Sequence, residues 1–217
     1  MKQLEVPYLP LLQKDTPLPD VSEQLDRLEK NAIDAVPWPS YNYKPRVSFS
    51  VAHSKDCLFV KFYVEEEAIR AVFRRTNDPV YKDSCVELFI AFNQEKAYYN
   101  LEFNSLGSCL MAYGPERENR QFLSEAVIRE IKRYAQMTVG EAAPSDTPVK
   151  WELTLVIPEE VFCFHRFGSS LHEQQCRVNF YKCGDDLPTP HYLTWNRIWA
   201  AAPDFHLPEY FGELQFL

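Results

Sequence analysis

The chain has 217 residues, 46% of them hydrophobic, and a formal net charge of −8. That is enough apolar material for one core and excludes a disordered chain, while the negative charge argues against nucleic acid and anionic membrane surfaces as main partners. Six glycines against 16 prolines leave little material for phosphate-cradling loops, whereas 12 Tyr, 15 Phe and 4 Trp supply many rings.

Residues 1–19 are punctuated by proline and read as an extended N-terminal segment of a single domain covering 1–217. Glu5, Pro7 and Pro10 interrupt the apolar residues there, so no signal peptide is read, and no segment approaches the length of a membrane span. The expected location is the cytoplasm, or outside the cell if a leader is missing from the sequence. Residues 20–34 predict a short helix, with Asp20 or Ser22 as cap and Val21, Leu25 and Leu28 as its apolar stripe. After the rigid connector 37–45 the period becomes two. RVSFSVAH (46–53) and CLFVKFYVEE (57–66) predict strands joined by a tight turn.

Next come strands over 83–92 and 98–104, expected to lie side by side in one sheet, then a turn at Ser105-Leu106-Gly107 leading into SCLMAYG (108–114) as a hairpin. Residues 115–130 are charged, with a helical turn or irregular loop at 124–131. A weak strand at 131–140, a strong one at 151–158 and a helical turn at 158–164 follow. The segments 176–184, 191–198 and 211–217 close the chain. Nine to eleven short strands with few helices predict an all-β fold, an antiparallel, jelly-roll-like β-sandwich with a short N-terminal helix. None of the six cysteines forms a C-x-x-C pair, and Cys57, Cys85 and Cys109 fall in strand-like runs, so buried free thiols are expected.

The run Asp78–Asn104 carries the chemistry. Side chains of a strand alternate faces, so Val86, Leu88, Ile90 and Phe92 share one side, and Cys85, Glu87, Phe89 and Ala91 the other. Both sides are largely apolar, which predicts a strand covered on both faces. A carboxylate at Glu87 is then costly unless something donates hydrogen bonds to it. On the next strand Asn100, Glu102 and Asn104 share a face. With Tyr81 upstream, this row reads as a floor for a polar ligand; the plainer alternative is a solvated sheet with one ion-paired glutamate.

The ordered run DPVYKDSCVELFI, YYNLEFN, WELTLVIPEEVF, RVNFYKCGD, YLTWNR and FGELQF resembles a family 9 carbohydrate-binding module over about residues 20–217. The resemblance implies a non-catalytic β-sandwich that grips the end of a sugar chain between two aromatic rings. It implies Tyr81 and Trp195 as the rings, with Glu87, Glu102 and Asn104 as polar contacts and Asn100, Lys82 and Arg197 as secondary ones. The implied partner is a mono- or oligosaccharide, with no nucleic acid and no membrane; no cofactor is expected beyond a structural calcium, for which Asp185 and Asp186 are the candidates. Turn chemistry is the plainer reading of that pair. Two positions depart from the family pattern: the first ring is Tyr rather than Trp, and acidic Glu102 stands where the family has a cation.

Two other function classes compete. Glu87 and Glu102 could serve as acid and base in a glycoside-processing enzyme, or the aromatic surface could make the chain a protein-interaction scaffold without a sugar ligand. No G-x-S-x-G, H-E-x-x-H, Walker or dinucleotide motif is present, and the five histidines have no metal-ligand spacing. His165 and His172 read as solvated loop residues. Met111 and Met137 lack a histidine partner for haem.

Overall fold

The computed structural model describes residues 1–138, 148–167, 171 and 174–217. Its strands, in chain order, are β1 (Gln3–Val6), β2 (Asn31–Ala32), β3 (Arg46–His53), β4 (Cys57–Glu66), β5 (Cys85–Phe92), β6 (Tyr98–Asn104), β7 (Cys109–Gly114), β8 (Gln121–Phe122), β9 (Lys132–Thr138), β10 (Val149–Pro158), β11 (Cys176–Cys183), β12 (Tyr192–Thr194) and β13 (Gly212–Phe216). The helices are α1 (Leu18–Asp26) and α2 (Glu125–Arg129). One sheet runs β1-β13-β11-β5-β6-β7-β8, with β12 also paired to β11; the other runs β2-β3-β4-β10-β9. All pairings are antiparallel except β1 with β13. This is the expected β-sandwich.

The period-two pattern decides the packing. Val86, Leu88, Ile90 and Phe92 of β5 enter the core between the sheets, where Phe49 of β3 stacks on Phe180 of β11 at 3.6 Å between ring centroids. The opposite side of β5 is also covered: Cys85, Phe89 and Ala91 lie under Trp38, Val80, Ile198, Phe205 and Phe211. The large sheet therefore carries an outer layer of loop residues. The turn at Ser105-Leu106-Gly107 forms as expected, with Gly107 at φ +80°, a conformation that costs glycine little.

A buried ion pair joins the two sheets. Glu66 ends β4 and Lys182 lies on β11, with Nζ 2.8 Å from the carboxylate. Trp151 Nε1 donates to Glu66 at 2.6 Å, and Lys182 Nζ lies 2.8 Å from His191 Nε2. Burial and the Lys182 charge push the His191 pKa down to about 4, so His191 is neutral and can accept from the ammonium.

The helix is shorter than the expected 20–34. Asn31 and Ala32 pair with Phe49 and Ser48 instead; sheet pairing overrides local helical pattern there. α1 is held against the second sheet by Lys61 Nζ, which reaches Ser22 at 2.8 Å and Asp26 at 2.7 Å. Of the expected strand 191–198 only Tyr192–Thr194 pairs regularly. The N-terminal segment, expected to be merely extended, adds β1 as an edge strand beside β13. The expected strand 131–140 is β9, its last two residues lying outside the described ones.

Candidate functional site

On the outer face of the large sheet a cavity of about 510 Å³ opens over β11, β5, β6 and β7. Its floor is Glu87, Asn100, Glu102 and Cys183, with Leu110 and Ala112 beside them. The strand register explains the floor. Glu87 stands opposite Glu102 across β5 and β6, and Phe89 opposite Asn100. On the other flank of β5, Glu87 stands opposite Tyr181 and Cys85 opposite Cys183.

The two glutamates are 2% and 4% exposed. Asn100 Nδ2 donates to Glu102 Oε1 at 2.6 Å, and Arg120 Nε in turn donates to Asn100 Oδ1 at 2.9 Å. Arg120 spends its other donors on backbone carbonyls, among them Tyr98 and Ala112, and lies over the Tyr98 ring. It thus positions Asn100 rather than pairing with Glu102. Glu102 Oε2 is buried and has no hydrogen-bond partner. Glu87 Oε1 accepts from Cys183 Sγ at 3.1 Å.

Burial pushes the Glu102 pKa up to about 7, against the lowering effect of Asn100 and Arg120. Burial, then the neighbouring Glu102 charge, holds Glu87 well above the usual carboxylate range. Near neutral pH the pair cannot carry two full charges. His206, which lines the far wall and accepts or donates at Tyr98 Oη over 2.9 Å, is driven down to about 3 by burial and the Arg120 and Arg117 charges. It is neutral.

Rings flank this floor. Tyr81 and Tyr192 line the β11 side, Phe205 the wall, and Phe122 the β8 edge, with Phe122 57% exposed. Such rings can cover the apolar face of a ligand while leaving its polar rim free.

Tyr81, Glu87, Glu102 and Asn100 therefore lie where a ligand could reach them. Trp195 does not, and the expected Tyr81–Trp195 clamp is corrected. Trp195 is 3% exposed and packs edge-on against Phe49 and Phe180 between the sheets. Strand parity is the reason: Leu193 and Trp195 face the core, while Tyr192 faces the cavity. Gly212 confirms how close this packing is, since a Cβ there would meet Trp195 Cζ3 at 2.5 Å. The exposed tryptophan is Trp199, at 70%.

Asn104 is a second correction. Its amide donates to Phe73 O and Asp83 Oδ2, and its Oδ1 accepts from the backbone of Leu106 and Ser108. It shapes the β6–β7 turn and has no atom left for a ligand. Lys82 and Arg197 also lie off the cavity lining: Lys82 faces Asp186 at 3.9 Å, and Arg197 lies over the Trp199 ring. Asp185 lines the cavity, where burial raises its pKa, while Asp186 turns to Arg70 and Lys82. His165, expected to be solvated, bonds Tyr99 Oη at 2.9 Å and Glu95 at 3.2 Å; His172 lies outside the described residues. Arg120, Phe122 and Tyr192 escaped the sequence reading. Phe122 sits in a two-residue strand too short to show a period, and only the parity of Tyr192 against Trp195 marked it.

The family model for carbohydrate-binding family 9 matches residues 19–216. A protein from Bacteroides uniformis ATCC 8492, provisionally described as carbohydrate-binding, is 36% identical, with a TM-score of 0.90 over 100% of this chain and 99% of that one. A family 9 module from Caldicellulosiruptor kristjanssonii, solved in complex with cellotriose, is similar in fold at 13% identity and TM-score 0.58, over 99% of this chain and 93% of that one. A module from the same organism in complex with glucose gives 14% and 0.56, over 100% and 96%. No curated protein matches significantly.

Proposed function

Because the chain belongs to carbohydrate-binding family 9, we propose that it is a non-catalytic module that takes a mono- or oligosaccharide into the cavity above β5 and β6. Glu87, Glu102 and Asn100 receive the hydroxyls, and Tyr81, Tyr192 and Phe122 lie against the apolar faces of the ring. The observation that carries this reading is the buried, unpartnered Glu102 Oε2 on the floor of an aromatic-rimmed cavity. An acceptor left without a donor is expensive in a closed interior, and a sugar hydroxyl supplies the missing donor. A hydroxyl given to a charged acceptor makes one of the stronger neutral-ligand hydrogen bonds. The cavity is in the range of small-ligand sites.

The reading differs from the resemblance in its rings. Tyr192 and Phe122 stand in for Trp195, which the core has taken. Isothermal titration with glucose, cellotriose and a wider set of saccharides tests it. Glu102→Ala should lower the affinity of whichever sugar binds by about ten- to a hundredfold, the loss of about 1.5–3 kcal/mol for a charged hydrogen-bond partner. Aryl glycosides should remain uncleaved. A saccharide that binds equally well to Glu102→Ala and to the native chain would place the site elsewhere.

A further inference from the structure

The cavity floor also brings two thiols beside Glu87. Cys85 on β5 and Cys183 on β11 are register partners, and both point to the outer face beside Glu87. Cys183 Sγ is 3.1 Å and Cys85 Sγ 4.0 Å from the same carboxylate oxygen, Glu87 Oε1. The three ligand atoms lie within 4.8 Å of one another, and all three residues are buried. Among the described residues no other group of three metal-ligating side chains comes together in this way.

We propose that Cys85, Cys183 and Glu87 form a site for a borderline-soft divalent metal ion, zinc in the first place. Metal–sulfur bonds of about 2.3 Å and metal–oxygen bonds of about 2.0 Å set the sulfur–oxygen edge of a tetrahedron near 3.5 Å. The observed 3.1 and 4.0 Å straddle that edge, so small side-chain movements close the site. Two thiolates and one carboxylate select against calcium and magnesium, which take oxygen ligands. The ion has a route in, since Cys183 and Glu87 line the cavity. The fourth position opens on that cavity, which leaves room for a water there.

Binding is a proton exchange. One divalent ion replaces the two thiol protons and the proton that Glu87 carries when it is neutral, all of which leave to solvent, and no oxidant is involved. Burial holds the Cys85 thiol up at about 12 and Cys183 well above its ordinary value. The thiols therefore stay protonated and unreactive at neutral pH until a cation compensates the charge. A bound ion would also occupy the Glu87 oxygen that otherwise faces the ligand.

Cobalt(II) titration of the reduced 217-residue chain, without saccharide, tests the site independently of the sugar reading. One equivalent should produce a thiolate-to-cobalt charge-transfer band in the near ultraviolet, and zinc should abolish it. Cys183→Ser should remove the band, while Cys163→Ser, which alters the exposed thiol of the chain, should leave it intact. Zinc should raise the melting temperature of the native protein and not that of Cys183→Ser, a comparison that stands even if the variant is less stable. No band, a band unchanged in Cys183→Ser, or a protein whose mass is lower by two hydrogens from a Cys85–Cys183 disulfide would each overturn the proposal.

Discussion

Glu87 and Glu102 face one another across β5 and β6, both buried, with one carboxylate oxygen of Glu102 unpartnered. Like charges so placed oppose folding whenever both are ionised. Their folded pKa values lie above the unfolded value of 4.5, Glu102 at about 7. The folded chain then keeps protons that the unfolded chain has released. The contribution to stability is full below about pH 4.5 and is lost as pH rises through about 7. Glu102→Gln should flatten this fall and melt higher than the native chain at about pH 8. Parallel melting-temperature profiles for the two proteins would show that the pair is not strained.

Saccharide affinity should move in the opposite direction. Hydroxyls bind an ionised carboxylate more strongly than a neutral carboxyl, so titrations should show tighter binding as pH passes upward through about 7. Glu102→Gln should lose this dependence. A native affinity independent of pH would mean that Glu102 does not receive the sugar.

The two late tryptophans should separate stability from binding. Trp195→Ala removes a ring packed between the sheets and should cost about 3–5 kcal/mol. Gly212→Ala should also destabilise, because its Cβ would press on the Trp195 ring. Trp199→Ala, at an exposed position, should leave the melt nearly unchanged. Denaturant titration measures all three; a Trp195→Ala chain as stable as the native one would contradict the packing.

The rings on the rim should behave the other way. Tyr192→Ala and Phe122→Ala should each weaken saccharide binding by about two- to tenfold, consistent with about 0.5–1.5 kcal/mol for an aromatic contact. Phe122→Ala should cost little stability, because the ring is largely exposed. Titration calorimetry of the two variants against the native chain decides this, and an unchanged affinity for both would remove the rings from the site.

The pair Lys182–Glu66 should be strongly coupled. Lys182→Met leaves Glu66 charged and buried, at a cost of about 3–5 kcal/mol, whereas adding Glu66→Gln should recover much of that loss. A double-mutant cycle by chemical denaturation measures the coupling. Additive losses would show that the two sheets are held by packing alone at this point.

Period-two alternation by itself determined that β3, β4, β5, β6, β10 and β11 are strands, that Cys85, Glu87, Phe89 and Ala91 share one face of β5, and that Asn100, Glu102 and Asn104 share one face of β6. Those properties are local, since side-chain direction follows from backbone geometry alone. Which polar groups remain available was decided only by the tertiary structure. Asn104 lost its amide to Phe73, Asp83 and its own turn, and Trp195 lost its ring to the space left by Gly212. Phe122 and Arg120 came to the cavity from segments with too short a period to read, and Tyr192 from the part of the expected strand 191–198 that pairs regularly. A side chain's role depends on partners that arrive from far along the chain, as Cys183 arrives at Glu87 from 96 positions away, and local pattern carries no record of those arrivals.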